Sequence, residues 1–179
     1  MGYVRQILTD NHPTLRKVAK RVNPAEIREL LFQQLLDDMF ATMYAAPGIG
    51  LAAPQINVSK RIFVFDVEEE DERHGPGVVI NPRFTLMEEE VEATEGCLSV
   101  PGYIGEMTRF NRVVCVGLDR YGKKIVLEGQ ALFARCLQHE IDHLNGVLYI
   151  DTAKNIRPVV TEEERMIAEG GELLAAGGA

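Results

Sequence analysis

His139-Glu140-Ile141-Asp142-His143 is the stretch of this sequence with the clearest chemical meaning. On a helix, residues i and i+4 share a face, so two imidazoles at this spacing converge on one metal ion while the glutamate beside the first reaches a water at that ion. A catalytic centre of this type needs a third protein ligand and keeps one position open. A histidine six residues beyond His143 would complete a three-histidine set, but Tyr149 stands there. Two other sources remain. One is Cys97 in Glu95-Gly96-Cys97-Leu98-Ser99, where the neighbouring glycine permits close approach and a thiolate suits a borderline or soft divalent metal. The other is the run Glu162-Glu163-Glu164 about twenty residues downstream, although solvated charge and helix capping explain those carboxylates more simply. Taken alone, Cys97 is more simply explained as a small buried hydrophobe.

The elements that must position these residues are legible in outline. Gln130 to Asn145 has helical periodicity and ends at Gly146, a left-handed stop, so the metal motif sits on a helix. A long N-terminal helix is predicted from the cap Asn23-Pro24 to about Ala45, with Ile27, Leu30, Leu31, Leu35, Met39 and Met43 as its apolar stripe. Prolines and glycines from Pro47 to Gln55 argue for irregular backbone. Arg61–Val67, Val78–Ile80 and Arg83–Met87 read as strands, with a charged loop over residues 68–77 between the first two and a solvated turn at Glu88-Glu89-Glu90. Arg112–Leu118 and Lys124–Leu127 read as a hairpin around Gly122. Thr161 and Glu164 form a capping-box signature for a short C-terminal helix, with a disordered tail expected from about residue 170. The class is α+β, an antiparallel sheet around the helix that carries the HExxH motif, in one domain over residues 1–179.

Bulk properties exclude several function classes. The chain is 46% hydrophobic and 26% charged with a net charge of -8, which suits a globular protein and disfavours a phosphate backbone as ligand. No apolar run reaches the length needed to span a membrane, and Gln6 spoils a myristoylation pattern at the Met-Gly start, so a cytoplasmic protein with no membrane partner is expected. The three widely spaced cysteines suggest no disulfide framework, and Cys115, between Val114 and Val116, reads as core. Gly48-Ile49-Gly50 lacks the rest of a phosphate loop, and His12 and His74 read as surface residues.

Three motifs in order, GIGLAAPQ at 48–55, EGCLS at 95–99 and QHEIDHLNG at 138–146, resemble the signature motifs of the peptide deformylase family. The resemblance extends over about residues 10–152. It implies that Cys97, His139 and His143 hold one divalent metal, Fe2+ in the native enzyme with Zn2+, Ni2+ or Co2+ able to replace it. The donor set alone would suggest zinc. It further implies Glu140 as acid and base, and Gln55 with the Leu98 N–H as donors to a developing oxyanion. Gly50 resembles a backbone position that pairs with an extended substrate.

The reaction so implied is hydrolysis of the formyl group from the N-terminal formyl-methionine of newly made polypeptides, releasing formate. Partners would be N-formyl-methionyl nascent peptides, with the ribosome as a docking partner. A methionine side chain needs an apolar pocket beside the metal, and Ile49, Leu132, Cys136 and His139 are candidates for its wall, the last three on one helical face. With no exposed heptad or long apolar patch, a monomer is expected.

Overall fold

The computed structural model describes residues 2–70 and 72–160. The capping box at Thr161, the alternative ligands Glu162, Glu163 and Glu164, and the expected tail all lie outside the described residues. The fold is mixed α+β. A six-stranded antiparallel sheet runs in the order β1 (Gly50–Ala52), β2 (Ile62–Glu68), β3 (Arg73–Cys97), β4 (Val100–Leu118) and β5 (Lys124–Gln130). The last strand, β6 (Lys154–Pro158), also pairs with β4, at Tyr103, Ile104 and Glu106, while β5 pairs along residues 112–118 of the same strand.

Helices α1 (Leu30–Ala45) and α2 (Ala131–Leu144) cover the sheet. The apolar run of β2 is buried on both faces, which explains why it lacks a polar alternation. Ile62 and Val64 join Leu36, Met39 and Met43 of α1, whereas Phe63, Phe65 and Val67 join Phe133, Leu137 and Ile141 of α2. Gly146 follows α2 at φ 76°, where a β-carbon would also collide with the Arg16 backbone. Glycine therefore meets both a conformational and a packing demand there.

The N-terminal helix starts later than its sequence suggests. Asn23 caps a 3-10 turn over Pro24–Arg28 by accepting the Ala25 N–H, and Glu29 then turns extended at φ -70°, ψ 142°. This break takes its two leucines out of the buried face. Leu30 and Leu31, expected in the apolar stripe, are more than 80% exposed, whereas Ile27, Met39 and Met43 are buried as expected and Phe32 and Leu36 join them.

The strands required larger corrections. Val78–Ile80 and Arg83–Met87 are parts of the single strand β3, which also takes in Arg73–Gly77 from the expected charged loop. Glu88, Glu89 and Glu90 lie within β3, not in a turn; Glu88 pairs with Arg112 of β4 and forms an ion pair with it at 2.9 Å. This part of the β3–β4 hairpin is largely exposed, so the apolar alternation that marks a half-buried strand is missing. The region taken as wholly irregular contains β1 and a 3-10 turn, Ala53–Ile56.

The N-terminal segment ties separate parts of the fold together. The Tyr3 N–H donates to Asp38 of α1 at 2.7 Å. Farther along, the Leu8 N–H donates to the Gln55 carbonyl at 2.8 Å and the Asp10 N–H to the Ser99 carbonyl at 2.9 Å. One extended segment thereby holds the turn after β1 against the turn between β3 and β4.

Candidate active site

Cys97 ends β3, immediately before the Leu98-Ser99 turn into β4, and α2 lies across that end of the sheet. His139 and His143 face it. Cys97 Sγ is 3.2 Å from His143 Nε2, and His143 Nε2 is 3.2 Å from His139 Nε2. One donor atom from each of these residues falls within 4.8 Å of the others. Metal–nitrogen and metal–sulfur bonds of about 2.1 and 2.3 Å place neighbouring donors of a tetrahedral site roughly 3.3–3.6 Å apart. The observed spacing and the thiol–imidazole chemistry both fit a divalent ion, so Cys97, His139 and His143 together could hold one.

Around these residues lies a charge network. His139 Nδ1 is 3.2 Å from Glu95 Oε2, which orients the ring so that Nε2 faces Cys97 and His143. Glu95 accepts from both Arg109 Nε and Nη2 at 2.9 Å and from Arg135 Nη1 at 3.0 Å, and Arg109 also meets Asp142. Arg109, Arg135 and Ser99 were not singled out from the sequence. A lone arginine in a strand or helix carries no local signal of a partner brought by folding.

Glu140 is buried, and its Oε2 has no hydrogen-bond partner among the described residues. Burial pushes its carboxyl up, His139 opposes that shift, and Glu95 and Asp142 reinforce it, giving about 7. Gly50 makes this arrangement sterically possible, since a β-carbon there would run into Glu140 Oε1 and touch Cys136 Sγ. Burial holds the His143 ring neutral, well below its usual range, helped by the charges of His139 and Arg109. For His139, burial is outweighed by the Cys97 thiol and the Glu95 carboxylate, which raise it to about 10.

Gln55 is fixed from both ends of its amide. The Ala52 N–H donates to Oε1 at 2.8 Å, which leaves Nε2 to donate to Ser99 Oγ at 3.2 Å and to point towards Cys97 Sγ, 3.9 Å away. Gln55, Leu98, Gly50, Ile49, Leu132 and Cys136 all line one cavity of about 490 Å³, together with Cys97, His139 and Glu140. Ile49 and Leu132 are about two-fifths exposed on its wall, whereas Cys136 is buried. Burial, with Glu140 and Glu95, keeps the Cys136 thiol protonated by raising it well above its ordinary value. His74 departs from the surface expectation: its ring is partly buried and stacked on Phe133. Cys115 is in the core, as its strand pattern suggests.

Glu95 makes this cluster sensitive to acid. Burial alone would raise its carboxyl, but hydrogen bonds from His139 and Arg109 more than offset that and hold it at about 2, against 4.5 for a free side chain. A depressed carboxylate contributes stability above its unfolded value, and that stability is lost as pH falls towards the folded one. We expect metal-free protein to lose up to about 3 kcal/mol from this group between about pH 4.5 and 2. Urea unfolding of wild type and Glu95→Gln across that window checks this: the variant should show the shallower dependence on pH, and parallel curves would refute it.

Comparison with known proteins places this geometry in a family. A sequence model described as polypeptide deformylase matches residues 4–159. A peptide deformylase of Symbiobacterium thermophilum is 46% identical over 175 residues, 93% of this chain and 76% of that protein. The crystal structure of a Legionella pneumophila peptide deformylase superposes with a TM-score of 0.76 at 41% identity, covering 98% of this chain and 99% of that one. A class I type b peptide deformylase from Acinetobacter baumannii, solved with Met-Ala-Ser bound, gives 0.79 at 32% identity over 84% of this chain and 99% of that one. With its three motifs gathered at one cavity and its relatives matched over most of their length, this chain belongs to the polypeptide deformylase family.

Proposed function

We propose that this enzyme hydrolyses the N-formyl group of formyl-methionyl peptides, using one divalent metal held by Cys97, His139 and His143. The observation that carries the proposal is convergence: the three donors, the buried Glu140 carboxylate and the Gln55 amide meet at one end of a cavity whose wall includes Ile49, Leu132 and Cys136. The metal is proposed to be Fe2+, and the same donors accept Zn2+, Ni2+ or Co2+. When bound, it supplies a Lewis acid that makes water nucleophilic near neutral pH and polarises the formyl oxygen.

The chain's own residues account for the remaining steps. Glu140, with its carboxyl near 7, takes the proton from the attacking water and later gives it to the departing amine. Water adds to the formyl carbon and the carbon–nitrogen bond breaks, giving formate and a free N-terminus. Gln55 Nε2 and the Leu98 N–H are assigned to the oxygen that gains charge as the carbon becomes tetrahedral. Because the amide of Gln55 is already held by Ala52 and Ser99, it reorganises little as that charge develops. The backbone of Gly50, on the terminal strand β1 and in the cavity lining, is assigned to pairing with an extended peptide, and the pocket to the methionine side chain. Binding of Met-Ala-Ser by the Acinetobacter baumannii relative supports this assignment, since that tripeptide starts with methionine.

The test is anaerobic turnover of formyl-Met-Ala-Ser by ferrous-loaded protein, with formate and new amino termini measured together. Equal amounts of both, with the internal peptide bonds intact, are expected. Metal-loaded protein that cuts internal bonds, or that releases no formate, would overturn the proposal.

A further inference from the structure

The first turn of α2 carries no cap of its own. Gln130, the residue before it, makes no side-chain hydrogen bond to the helix. The backbone then passes through Ala131 at φ 42°, a left-handed conformation that a β-carbon disfavours. N–H groups at the start of a helix lack intrahelical partners and are met by other groups. Here one is met from a distant strand pair: the Leu132 N–H donates to Glu69 Oε1 at 3.2 Å. A carboxylate at that position also opposes the positive end of the helix dipole.

Glu69 belongs to the turn joining β2 to β3, which its own N–H closes by donating to the Glu72 carbonyl at 2.8 Å. The same hairpin lays the His74 ring flat on Phe133, with centroids 4.2 Å apart and planes 8° from parallel. His74 Nε2 is 3.4 Å from Glu69 Oε2. Two consecutive residues of α2 are thus gripped by one hairpin, Leu132 through its backbone and Phe133 through its ring. The opposite wall is tied to β2 as well, since the Asp66 N–H donates to the Ile49 carbonyl at 3.0 Å. Leu132 and Ile49 both line the cavity described above.

We propose that Glu69 is a positioning residue for substrate selection: by accepting the Leu132 N–H it fixes where the Leu132 side chain stands in the pocket, and so sets the preference for a long, unbranched first side chain. This rests on reading that cavity as the methionine site. Glu69 lies outside the three motifs and touches no donor of the metal site, so its loss should alter selection and leave the chemistry intact.

The experiment compares metal-loaded wild type, Glu69→Ala and Glu69→Gln on formyl-Met-Ala-Ser and formyl-Ala-Ala-Ser, with amide exchange measured at Leu132. For Glu69→Ala we expect KM for the methionine peptide to rise about 3–10-fold with kcat within about twofold, and the methionine-over-alanine ratio of kcat/KM to fall by a similar factor. Leu132 exchange should accelerate while that of Leu137 and Ile141 does not. Glu69→Gln keeps an acceptor oxygen and should restore most of the selectivity. A ratio that stays constant while both peptides lose activity together would overturn the proposal, because loss of folded protein lowers both alike. Absence of formate from wild type would instead sink the deformylase reading, and the Leu132 exchange rate would then decide alone whether Glu69 holds this turn.

Discussion

Glu140→Gln should lower the turnover of formyl-Met-Ala-Ser by about 10²–10⁴-fold while leaving the bound metal at wild-type stoichiometry. The substitution keeps the shape of a buried side chain packed against Gly50 and removes only its capacity to accept and return a proton. Because Glu140 is not among the three donors that converge, metal content should not move. KM should change little, since the group acts on the attacking water and the leaving amine. Metal analysis beside initial rates of formate release checks both halves. Turnover within about tenfold of wild type would show that some other group carries the proton. The carboxyl held near 7 gives a second signature: wild-type activity should titrate away in acid, and the residual activity of the variant should not follow that curve.

Cys97→Ala should remove metal and activity together. A thiolate is the only anionic donor of the three, and the two imidazoles that remain leave the site a ligand short of a catalytic centre. We expect metal content after desalting to fall from about one per chain to below roughly 0.1, and formate release to fall by at least about 10³-fold. Elemental analysis on protein purified without added metal provides the measurement. The substitution also separates ligation from packing, since Cys97 is only half buried and thermal unfolding of the metal-free forms should barely differ. Full metal retention would return the third-ligand role to a residue elsewhere in the chain.

Much of the site was legible because its chemistry is carried by residue types at fixed local spacing. His139, Glu140 and His143 need only a helix to share a face. Cys97 could not be chosen over Glu162–Glu164 from spacing alone, because its approach to His143 depends on β3 ending against α2, a long-range outcome of folding. The resemblance of three motifs pointed to it, and the fold brings its Sγ within 3.2 Å of His143 Nε2. The contacts of Arg109 and Arg135 with Glu95 were not legible, because nothing near either arginine in sequence announces a partner. Glu69 went unnoticed for the same reason.

The fold was read best where one face is buried, as along β4 and β5 near Cys115. It was read worst along the outer β3–β4 hairpin, where Glu88, Glu90 and Glu92 stand in a strand without a buried face to impose alternation. The break at Glu29 was missed because the apolar residues on either side continue at helical spacing through it. Short elements such as β1 and β6 depend on their partners for existence, and five residues or fewer carry little pattern of their own.

The extended N-terminal segment that joins the Gln55 and Ser99 carbonyls has a consequence for how the enzyme comes into being. Leu8 and Asp10 complete the arrangement around Gln55 and Ser99, while α2, which brings His139, Glu140 and His143, follows far along the chain, near the end of the matched region. No early fragment of the chain contains a working centre. Loops of such length close late and reward the chain only when many distant contacts form together. Catalytic competence should therefore appear in one cooperative event with the whole fold.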